Sequence, residues 1–190
     1  MADSASEKWN KRFANTEKPS TAATVLQNYL KFLPSQGSAL DLACGLGGNA
    51  LLLAKCGLTT SAWDIAEVGL EKLQLFAALQ DFAVTTRQID LENDAFPSQT
   101  FDVITVSRYL HRPLFAKIIS ALNSGGVVYY QTFTAKARNG APSNPSFLLA
   151  DNELLEQFSS LETLFYQQDD DGDSRDNKPN MAYYIGRKPS

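Results

Sequence analysis

The sequence is poor in the residues that build disulfide frameworks and metal sites. Two cysteines, Cys44 and Cys56, and one histidine, His111, occur among 190 residues. Two cysteines cannot supply a disulfide framework, and neither a Cys-x-x-Cys motif nor a Cys/His ligand spacing is present. We therefore expect neither a disulfide-stabilised domain nor a bound metal.

Long apolar runs are also missing. No stretch approaches the roughly eighteen apolar residues of a membrane span, and the segment MADSASEKWNKRF lacks the apolar core of a signal peptide. The sequence therefore predicts a cytoplasmic protein with no membrane partner.

An excess of basic residues is absent as well, since 17 Lys and Arg face 21 Asp and Glu and the formal net charge is -4. This balance gives no positive field for a nucleic-acid backbone, so we expect no nucleic-acid partner. With 44% hydrophobic and 20% charged residues the composition is that of an ordinary soluble domain. A length of 190 residues suits one domain, as a monomer or a small homo-oligomer.

Short apolar runs alternate with amphipathic segments of helical length along most of the chain. The predicted strands are SALDLA, LTTSAWD, VTTRQID, FDVITVS and VVYYQTF, followed by LETLFYQQ and MAYYIGR. Alternation of this kind favours a parallel sheet covered on both faces. We predict an α/β fold: a single Rossmann-like doubly wound domain whose mostly parallel seven-stranded sheet ends in an antiparallel strand pair. Its predicted parts are an N-terminal helical segment (1–35), a cofactor-binding core (36–133), and an acceptor-side loop with the closing strands (134–190).

Two helix boundaries are predicted from local signals. TAATVLQNYLKFLP carries apolar residues at helical spacing, with Ser20 as its N-cap and Pro34 as its stop. PLFAKIISALNSGG begins with Pro113 and ends in the two glycines Gly125 and Gly126.

A glycine-rich loop follows the first predicted strand. Gly45, Gly47 and Gly48 allow the backbone to turn sharply and to approach a ligand closely. The loop matches the dinucleotide pattern GxGxxA, and Asp64 follows at the distance expected of a ribose-binding acid, but this signal is weak by itself. Asp41, four residues before the first glycine, stands where a dinucleotide-binding strand normally holds an apolar residue. A carboxylate there suits a ligand with a cationic group, and a purely structural hydrogen-bonding role is the alternative.

These residues resemble the first motif of the class I S-adenosylmethionine-dependent methyltransferases, an acidic residue followed by alternating glycines. Asp41, Gly45 and Gly47 match the motif, and Ala43 departs from it by one methyl group. The resemblance extends over roughly residues 36 to 133, through Asp64, Asp90-Leu91, FDVI and the run NSGG. Within the class the sequence is most similar to tellurite-resistance-type methyltransferases, which also carry a tryptophan near the N-terminus, here Trp9, and a closing β-hairpin.

The resemblance implies S-adenosylmethionine as cofactor and assigns its contacts. The backbone of residues 43 to 47 would hold the methionine portion, Asp64 would accept hydrogen bonds from both ribose hydroxyls, and Asp90 would meet the adenine amino group. Each aspartate could instead be a helix cap or a turn former. The candidate cofactor-binding residues are Asp41, Ala43, Cys44, Gly45, Gly47, Asp64, Ile65, Asp90, Leu91 and Ser107.

The segment SRYLHRP follows the fourth strand, at the edge where the methyl group would be delivered. Arg108 and Arg112 could hold an anionic acceptor, and His111 could act as a base. A lone histidine is more often a packed or capping residue, and Arg112 could bracket the next helix. We assign Arg108, His111 and Arg112 as the candidate catalytic residues.

Further along the chain, Thr132, Thr134, Arg138 and Asn144 could line the acceptor side, while Phe147, Leu148 and Leu149 are expected in a lid or the core. Cys44 is expected to be a small packed residue rather than a nucleophile, because no charged partner accompanies it. The tract from Asp169 to Asp173 mimics the start of a calcium loop but lacks its glycine and its closing glutamate. It is predicted to be a solvated hairpin tip.

The predicted function is S-adenosylmethionine-dependent methyl transfer to a small-molecule acceptor, with a thiol or a soft oxyanion as candidates. The segment after strand four is SRYLHRP and not NPPY-like, which argues against methylation of amide or base nitrogens. One alternative is a nicotinamide-dependent oxidoreductase, supported by the GxGxxA match. Another is a non-catalytic regulatory protein that keeps the cofactor fold.

Overall fold

The computed structural model describes residues 4–135, 140–169 and 179–190. The helices are α1 (Ala5–Ala14), α2 (Thr24–Asn28), α3 (Gly48–Lys55), α4 (Glu67–Ala78), α5 (Leu114–Ala121) and α6 (Glu153–Gln157), with 3-10 turns at Leu30–Phe32 and Pro145–Phe147. The strands are β1 (Ser38–Leu42), β2 (Thr59–Asp64), β3 (Val84–Gln88), β4 (Phe101–Ser107), β5 (Leu122–Phe133), β6 (Glu162–Gln168) and β7 (Met181–Arg187).

The strands form one seven-stranded sheet in the order β3-β2-β1-β4-β5-β7-β6. Strands β1 to β5 pair in parallel, and β7 lies antiparallel between β5 and β6. The predicted fold class is confirmed, including the closing antiparallel pair. The strand order reverses between β1 and β4, which is where an open α/β sheet forms its ligand crevice.

Helices cover both faces of the sheet. Helices α2, α3 and α4 pack on one face through residues such as Leu26, Leu53 and Leu73. Helices α5 and α6 pack on the other face around Phe115 and Phe158. Because both faces are buried, the central strands β1 and β4 read as nearly continuous apolar runs. No helix in the described ranges is both long enough and apolar enough to cross a bilayer.

The first helix, α1, lies within the range 1–35 predicted as an N-terminal helical segment, but the sequence analysis placed a helix only over residues 21–34, although a local signal for α1 exists. The Ser4 hydroxyl accepts a hydrogen bond from the Glu7 N–H, and the Glu7 carboxylate accepts one from the Ser4 N–H. This reciprocal pair is a capping box, Ser-x-x-Glu, and it is readable from four residues alone. The helix buries no residue fully, so it lacks the aliphatic positions of a core helix, although Trp9 and Phe13 stack on one side of it.

The prediction that Ser20 caps a helix over residues 21–34 is wrong. Helix α2 starts at Thr24, with Ala23 at the N-cap position. The Ser20 hydroxyl instead accepts a hydrogen bond from the Gly48 N–H, 28 residues away, at the start of α3. The Ala23 N–H is held by the Asn49 side chain at 2.7 Å. The segment from residue 20 to 23 is therefore anchored to α3 before the chain turns into α2.

The helix predicted to run from Pro113 to Gly126 ends earlier, at Ala121. Leu122 already pairs with Phe101 of β4. The ammonium group of Lys188 donates hydrogen bonds to the carbonyls of Ile119 and Leu122 at 3.0 and 2.6 Å. These carbonyls at the end of α5 are satisfied by a residue from the far end of the chain, so the helix stops sooner than its apolar spacing suggests.

Candidate functional site: the crevice at the carboxyl ends of β1 to β4

The crevice gathers residues from the four loops that follow the central parallel strands. The Gly45 N–H, after β1, donates to the Asp64 carboxylate at the end of β2 at 2.7 Å. The Tyr109 hydroxyl, after β4, lies 3.5 Å from a carboxylate oxygen of Glu92, after β3. Segments that are 17 to 19 residues apart in sequence thus meet at one edge of the sheet.

The loop after β1 has an unusual backbone. Ala43, Gly45 and Gly47 have φ angles of 55°, 53° and 73°. Two of these left-handed positions are glycines, for which the conformation costs little, whereas at Ala43 it costs about 1 kcal/mol. A Cβ on Gly45 would lie 3.1 Å from the Phe13 ring. The loop is therefore strained at Ala43, where the resembled motif has glycine, and a side chain at Gly45 would have to displace the Phe13 ring slightly.

Asp41 is buried at the end of β1 and is bound to the protein itself. One carboxylate oxygen accepts hydrogen bonds from Asn49 Nδ2 and Thr105 Oγ1, both at 3.1 Å. The other accepts from the Ala50 N–H in the first turn of α3 at 3.0 Å. Burial raises the pKa of Asp41 to about 7, against the opposing effect of these bonds. Asp41 thus fixes the start of α3, and its charge lies beneath the glycine loop.

Asn49 organises the same region and was not singled out from the sequence. Its amide nitrogen also donates to the Ser107 hydroxyl at 3.2 Å, and its oxygen accepts from the Ala23 N–H. The side chain therefore joins α3 to the ends of β1 and β4 and to the segment before α2. Its partners lie 8, 26 and 58 residues away, so no local sequence signal could have identified it.

Asp64 ends β2 with its carboxylate at the base of the loop. Its two oxygens accept hydrogen bonds from the Gly45 N–H at 2.7 Å and from the Ala66 N–H at 2.8 Å. Burial raises the pKa of Asp64, while these bonds oppose the rise. A carboxylate oxygen has two lone pairs, so each oxygen keeps acceptor capacity for a ligand hydroxyl.

Helix α1 covers this side of the crevice. The Ser6 hydroxyl donates to the Ile65 carbonyl, and the Asn10 side-chain oxygen accepts from the Val68 N–H. Lys72 of α4 donates to three carbonyls at the C-terminal end of α1, those of Phe13, Ala14 and Thr16, at 2.6 to 2.9 Å. These bonds hold the Phe13 ring against the glycine loop and hold α1 beside Asp64.

The loop after β3 contains Asp90 and Leu91. The Asp90 carboxylate accepts from the Asn93 side chain at 2.8 Å and from the Glu92 N–H at 3.0 Å. The bond from Asn93, with a smaller contribution from the charge of His111, lowers the pKa of Asp90. Asp90 is thus a turn former on the surface, near His111, while Leu91 is buried in the core.

Cys44 lies inside the glycine loop and is buried. Burial, followed by the charges of Asp41 and Asp64, raises the pKa of its thiol well above the usual value. A thiolate is the nucleophilic form, so the structure supports the packed role expected for this cysteine.

Arg108 directly follows β4 and has a φ of 54°, in the left-handed region. Its N–H donates to the Gln131 carbonyl of β5 at 2.8 Å, which fixes the backbone. Within residues 4–135, 140–169 and 179–190 its guanidinium makes no hydrogen bond or ion pair. Among the described residues, this cationic group is therefore unpaired, and it directly follows the carboxyl end of β4.

Arg112 is in the opposite situation. Its guanidinium forms a two-point ion pair with Glu153 of α6, with nitrogen to oxygen distances of 2.7 and 2.9 Å. It also donates to the carbonyls of Ser146 and Leu148 at 3.0 Å each. The structure thus ties Arg112 to the segment after β5.

The predicted acceptor-side residues at the end of β5 and beyond it have different surroundings. Thr132 is buried, and in the described part of the chain its hydroxyl has no hydrogen-bond partner. Asn144 accepts from the Ser146 N–H, and Leu149 is a core residue, whereas Phe147 is 44% exposed. Arg138 and the acidic positions 171 and 173 lie outside the described residues. His/Cys/Asp/Glu clusters that could hold a metal ion are not found among those that are described.

The comparisons with known proteins agree with this geometry. Residues 39–126 match the family model described as a methyltransferase domain. TehB from Haemophilus influenzae superposes with a TM-score of 0.74 at 20% identity, over 96% of this chain and 67% of TehB. A SAM-dependent methyltransferase from Methanosarcina mazei gives 0.67 at 15% identity, over 90% and 99% of the two chains. The cyclase SpnF gives 0.68 at 16% identity, over 87% and 78%.

No curated protein sequence matches this chain significantly. Because the sequence identities are low, the structural likenesses establish the fold alone. The family model adds a sequence match across the glycine loop and the following strands. Residues 39–126 of this chain are similar to the methyltransferase-domain family, and the chain shares its fold with solved S-adenosylmethionine-dependent methyltransferases.

Proposed function

We propose that this protein transfers the methyl group of S-adenosylmethionine to a small-molecule acceptor that reacts as a thiolate or a soft oxyanion. The observation that carries the proposal is that the acidic glycine loop and the Arg108 guanidinium, unpaired among the described residues, both follow the carboxyl ends of neighbouring strands, β1 and β4. The loop suits a cationic cofactor, and the guanidinium suits an anionic acceptor.

The residues of the crevice fit the cofactor. The left-handed backbone at Ala43, Gly45 and Gly47 turns the chain sharply after β1, as a loop that holds the methionine portion through its backbone requires. Asp64 keeps acceptor capacity for the ribose hydroxyls, and residues 90 and 91 stand at the adenine end. Cys44, Ile65 and Ser107 complete the lining, and Asp41 supports the loop from below. When bound, S-adenosylmethionine supplies a methyl carbon on a sulfonium, already activated for in-line displacement.

The protein's own task is then alignment, exclusion of water and electrostatic matching. Helix α1 closes one side of the crevice through Ser6, Asn10 and Phe13. Arg108 would hold a negative acceptor beside the sulfonium without removing its nucleophilic electrons. A thiolate or an oxyanion brings no proton to the reaction, so no base is required.

His111 offers a second route if the acceptor arrives protonated. It lies close enough to Asp90 to lower the pKa of that carboxyl. A neutral imidazole could take the proton from a thiol. The two routes differ in the source of the thiolate: with Arg108 alone, the rate follows ionisation of the acceptor, whereas a base at His111 removes the proton within the site.

The first experiment is calorimetric titration of the pure protein with S-adenosylmethionine, S-adenosylhomocysteine and NAD in parallel. We expect the first two ligands to bind and NAD not to bind. Binding of NAD alone would favour the oxidoreductase alternative. Tight binding of the cofactor with no methyl transfer to any acceptor would favour a non-methylating role, a possibility that the cyclase neighbour illustrates for this fold.

The second experiment measures transfer of labelled methyl to thiols, tellurite, selenite and small oxyanions. Arg108→Ala should raise the acceptor KM with little effect on cofactor affinity, because it removes a charge from the acceptor side. Arg187→Ala is the matched control. Arg187 pairs with Val127 of β5, toward the amino ends of the parallel strands and away from the crevice. A wild-type KM in Arg108→Ala, together with a lower kcat for thiol acceptors in His111→Ala, would move the acceptor role to His111.

A further inference from the structure

The four hydrogen bonds of Arg112 converge on one short segment after β5. The Glu153 partner is almost fully buried, with 8% of its side chain exposed, and one of its oxygens also accepts from the Ala150 N–H at 2.9 Å. A two-point ion pair of this kind has a defined geometry, unlike a single contact between flexible side chains. Arg112 and Glu153 together hold the chain from residue 146 to 150.

Phe147 lies at the centre of this arrangement. Arg112 binds the carbonyl of the residue before it, Ser146, and the carbonyl of the residue after it, Leu148. The Phe147 N–H donates to the Asn144 carbonyl, within the 3-10 turn. The backbone on both sides of Phe147 is thus fixed, yet the residue remains 44% exposed. A single exposed aromatic side chain is ordinary, but one whose backbone is held in this way is displayed in a fixed position.

The segment is also fixed to the sheet at the acceptor edge. Leu149 donates its N–H to the Phe133 carbonyl at the end of β5 and accepts from the Ala135 N–H. Arg112 belongs to the same connection after β4 that carries Arg108. Phe147 therefore lies in a segment that is bound both to the end of β5, through Leu149, and to the connection after β4, through Arg112.

We propose that Phe147 contacts an apolar group on the methyl acceptor, and that Arg112 and Glu153 are positioning residues that display it. The proposal rests on the proposed function and narrows its substrate class to thiols that carry an alkyl or aryl group. It also assigns different roles to the two arginines. Arg108 binds the negative charge of the acceptor, whereas Arg112 positions Phe147.

The kinetic test compares Phe147→Ala, Arg112→Lys and Glu153→Gln, with an aryl thiol and selenite as acceptors. Loss of an apolar contact should lower kcat/KM for the aryl thiol about ten-fold or more, and should leave selenite unchanged. Arg112→Lys keeps the charge but loses the fork, so it should raise the KM of the aryl thiol, as should Glu153→Gln. The affinity for S-adenosylhomocysteine should stay at the wild-type value in all three variants.

The matched control is Glu162→Gln, which removes an exposed ion pair with Arg187 at 3.6 Å and should change neither acceptor. A direct role of Arg112 in binding the acceptor gives a different result. Glu153→Gln would then free the guanidinium and lower the KM of an anionic acceptor, whereas Arg112→Lys would raise it. Opposite effects in these two variants, or wild-type kinetics in Phe147→Ala, would overturn the proposal.

Hydrogen exchange tests the positioning without turnover. The amides of Phe147 and Leu148 are hydrogen-bonded within the turn, and they should exchange faster in Arg112→Lys and Glu153→Gln than in Glu162→Gln. Unchanged protection would show that the ion pair does not hold the segment. If the wild type methylates no acceptor, the proposed function fails and the acceptor role of Phe147 fails with it, while the exchange result still decides whether Arg112 fixes the segment.

Discussion

Replacing Asp64 with alanine should lower both the stability of the fold and the affinity for the cofactor. The contacts of Asp64 allow the two effects to be estimated separately. The carboxylate accepts the N–H groups of Gly45 and Ala66 at 2.7 and 2.8 Å, and Ala66 is fully buried. Asp64→Ala leaves both donors without this partner. At about 1–3 kcal/mol for each unsatisfied buried donor, with some replacement by water at the half-buried Gly45, the free energy of unfolding should fall by about 2–4 kcal/mol.

The cofactor loses a further interaction in this variant. Hydrogen bonds from the ribose hydroxyls to a charged carboxylate contribute about 1.5–3 kcal/mol, so the dissociation constant for S-adenosylmethionine should rise by about 10- to 150-fold. Denaturant unfolding measures the first effect, and isothermal titration calorimetry on the folded variant measures the second.

Asp102→Ala is the matched control. The Asp102 carboxylate accepts the N–H and the hydroxyl of Ser38 at 2.8 and 3.0 Å, at the opposite edge of the same sheet. It should therefore lose stability without losing cofactor affinity. Unchanged calorimetric affinity in Asp64→Ala would refute the ribose assignment. An equal loss of affinity in both variants would show that the effect comes from general destabilisation.

Two further predictions follow from the same loop. Gly45→Val should abolish cofactor binding by calorimetry while circular dichroism shows a folded chain, because its Cβ would crowd the Phe13 ring at 3.1 Å. Gly57 also has a positive φ, with open space around it, so Gly57→Val should keep binding. Loss of binding in both variants would contradict the reasoning. The pKa of Asp41 is raised by burial to about 7, so the folded state holds this proton more tightly than the unfolded chain, and this stabilisation is lost as the pH rises from about 4 to 7. The free energy of unfolding in urea should therefore fall for the wild type, relative to Asp41→Asn, by about 2–3 kcal/mol between pH 5 and pH 8. A difference between the two proteins that does not depend on pH would contradict the raised pKa.

Local patterns in the sequence predicted the order of strands and helices well. Strands such as β4 and β7 are recognisable because their burial on a sheet face leaves an apolar signature within seven residues. The acidic glycine loop is equally local, since Asp41, Gly45 and Gly47 lie within seven consecutive residues. Helix α1 was missed although its capping box, Ser4 and Glu7, is also local.

The interactions that assemble the site were not predictable in this way. Asn49 reaches partners up to 58 residues away, and Ser20 caps a helix that begins 28 residues further on. Arg112 illustrates the point most directly: the sequence offered it as an anion binder beside Arg108, and the fold pairs it with Glu153, 41 residues away. Two arginines that look equivalent in SRYLHRP thus have different surroundings.

The sequence by itself determined that this chain builds a parallel α/β sheet with an acidic glycine loop after β1, because periodicity and backbone freedom are properties of neighbouring residues. The tertiary structure decided which charges are free and which are paired, because hydrogen bonds and ion pairs form within about 3 Å and depend on positions in space. Arg108 and Arg112 stand four positions apart. The packing of α6 against the end of the sheet gives the Glu153 carboxylate to Arg112, whereas the guanidinium of Arg108 has no ion pair within the part of the chain that the structure describes.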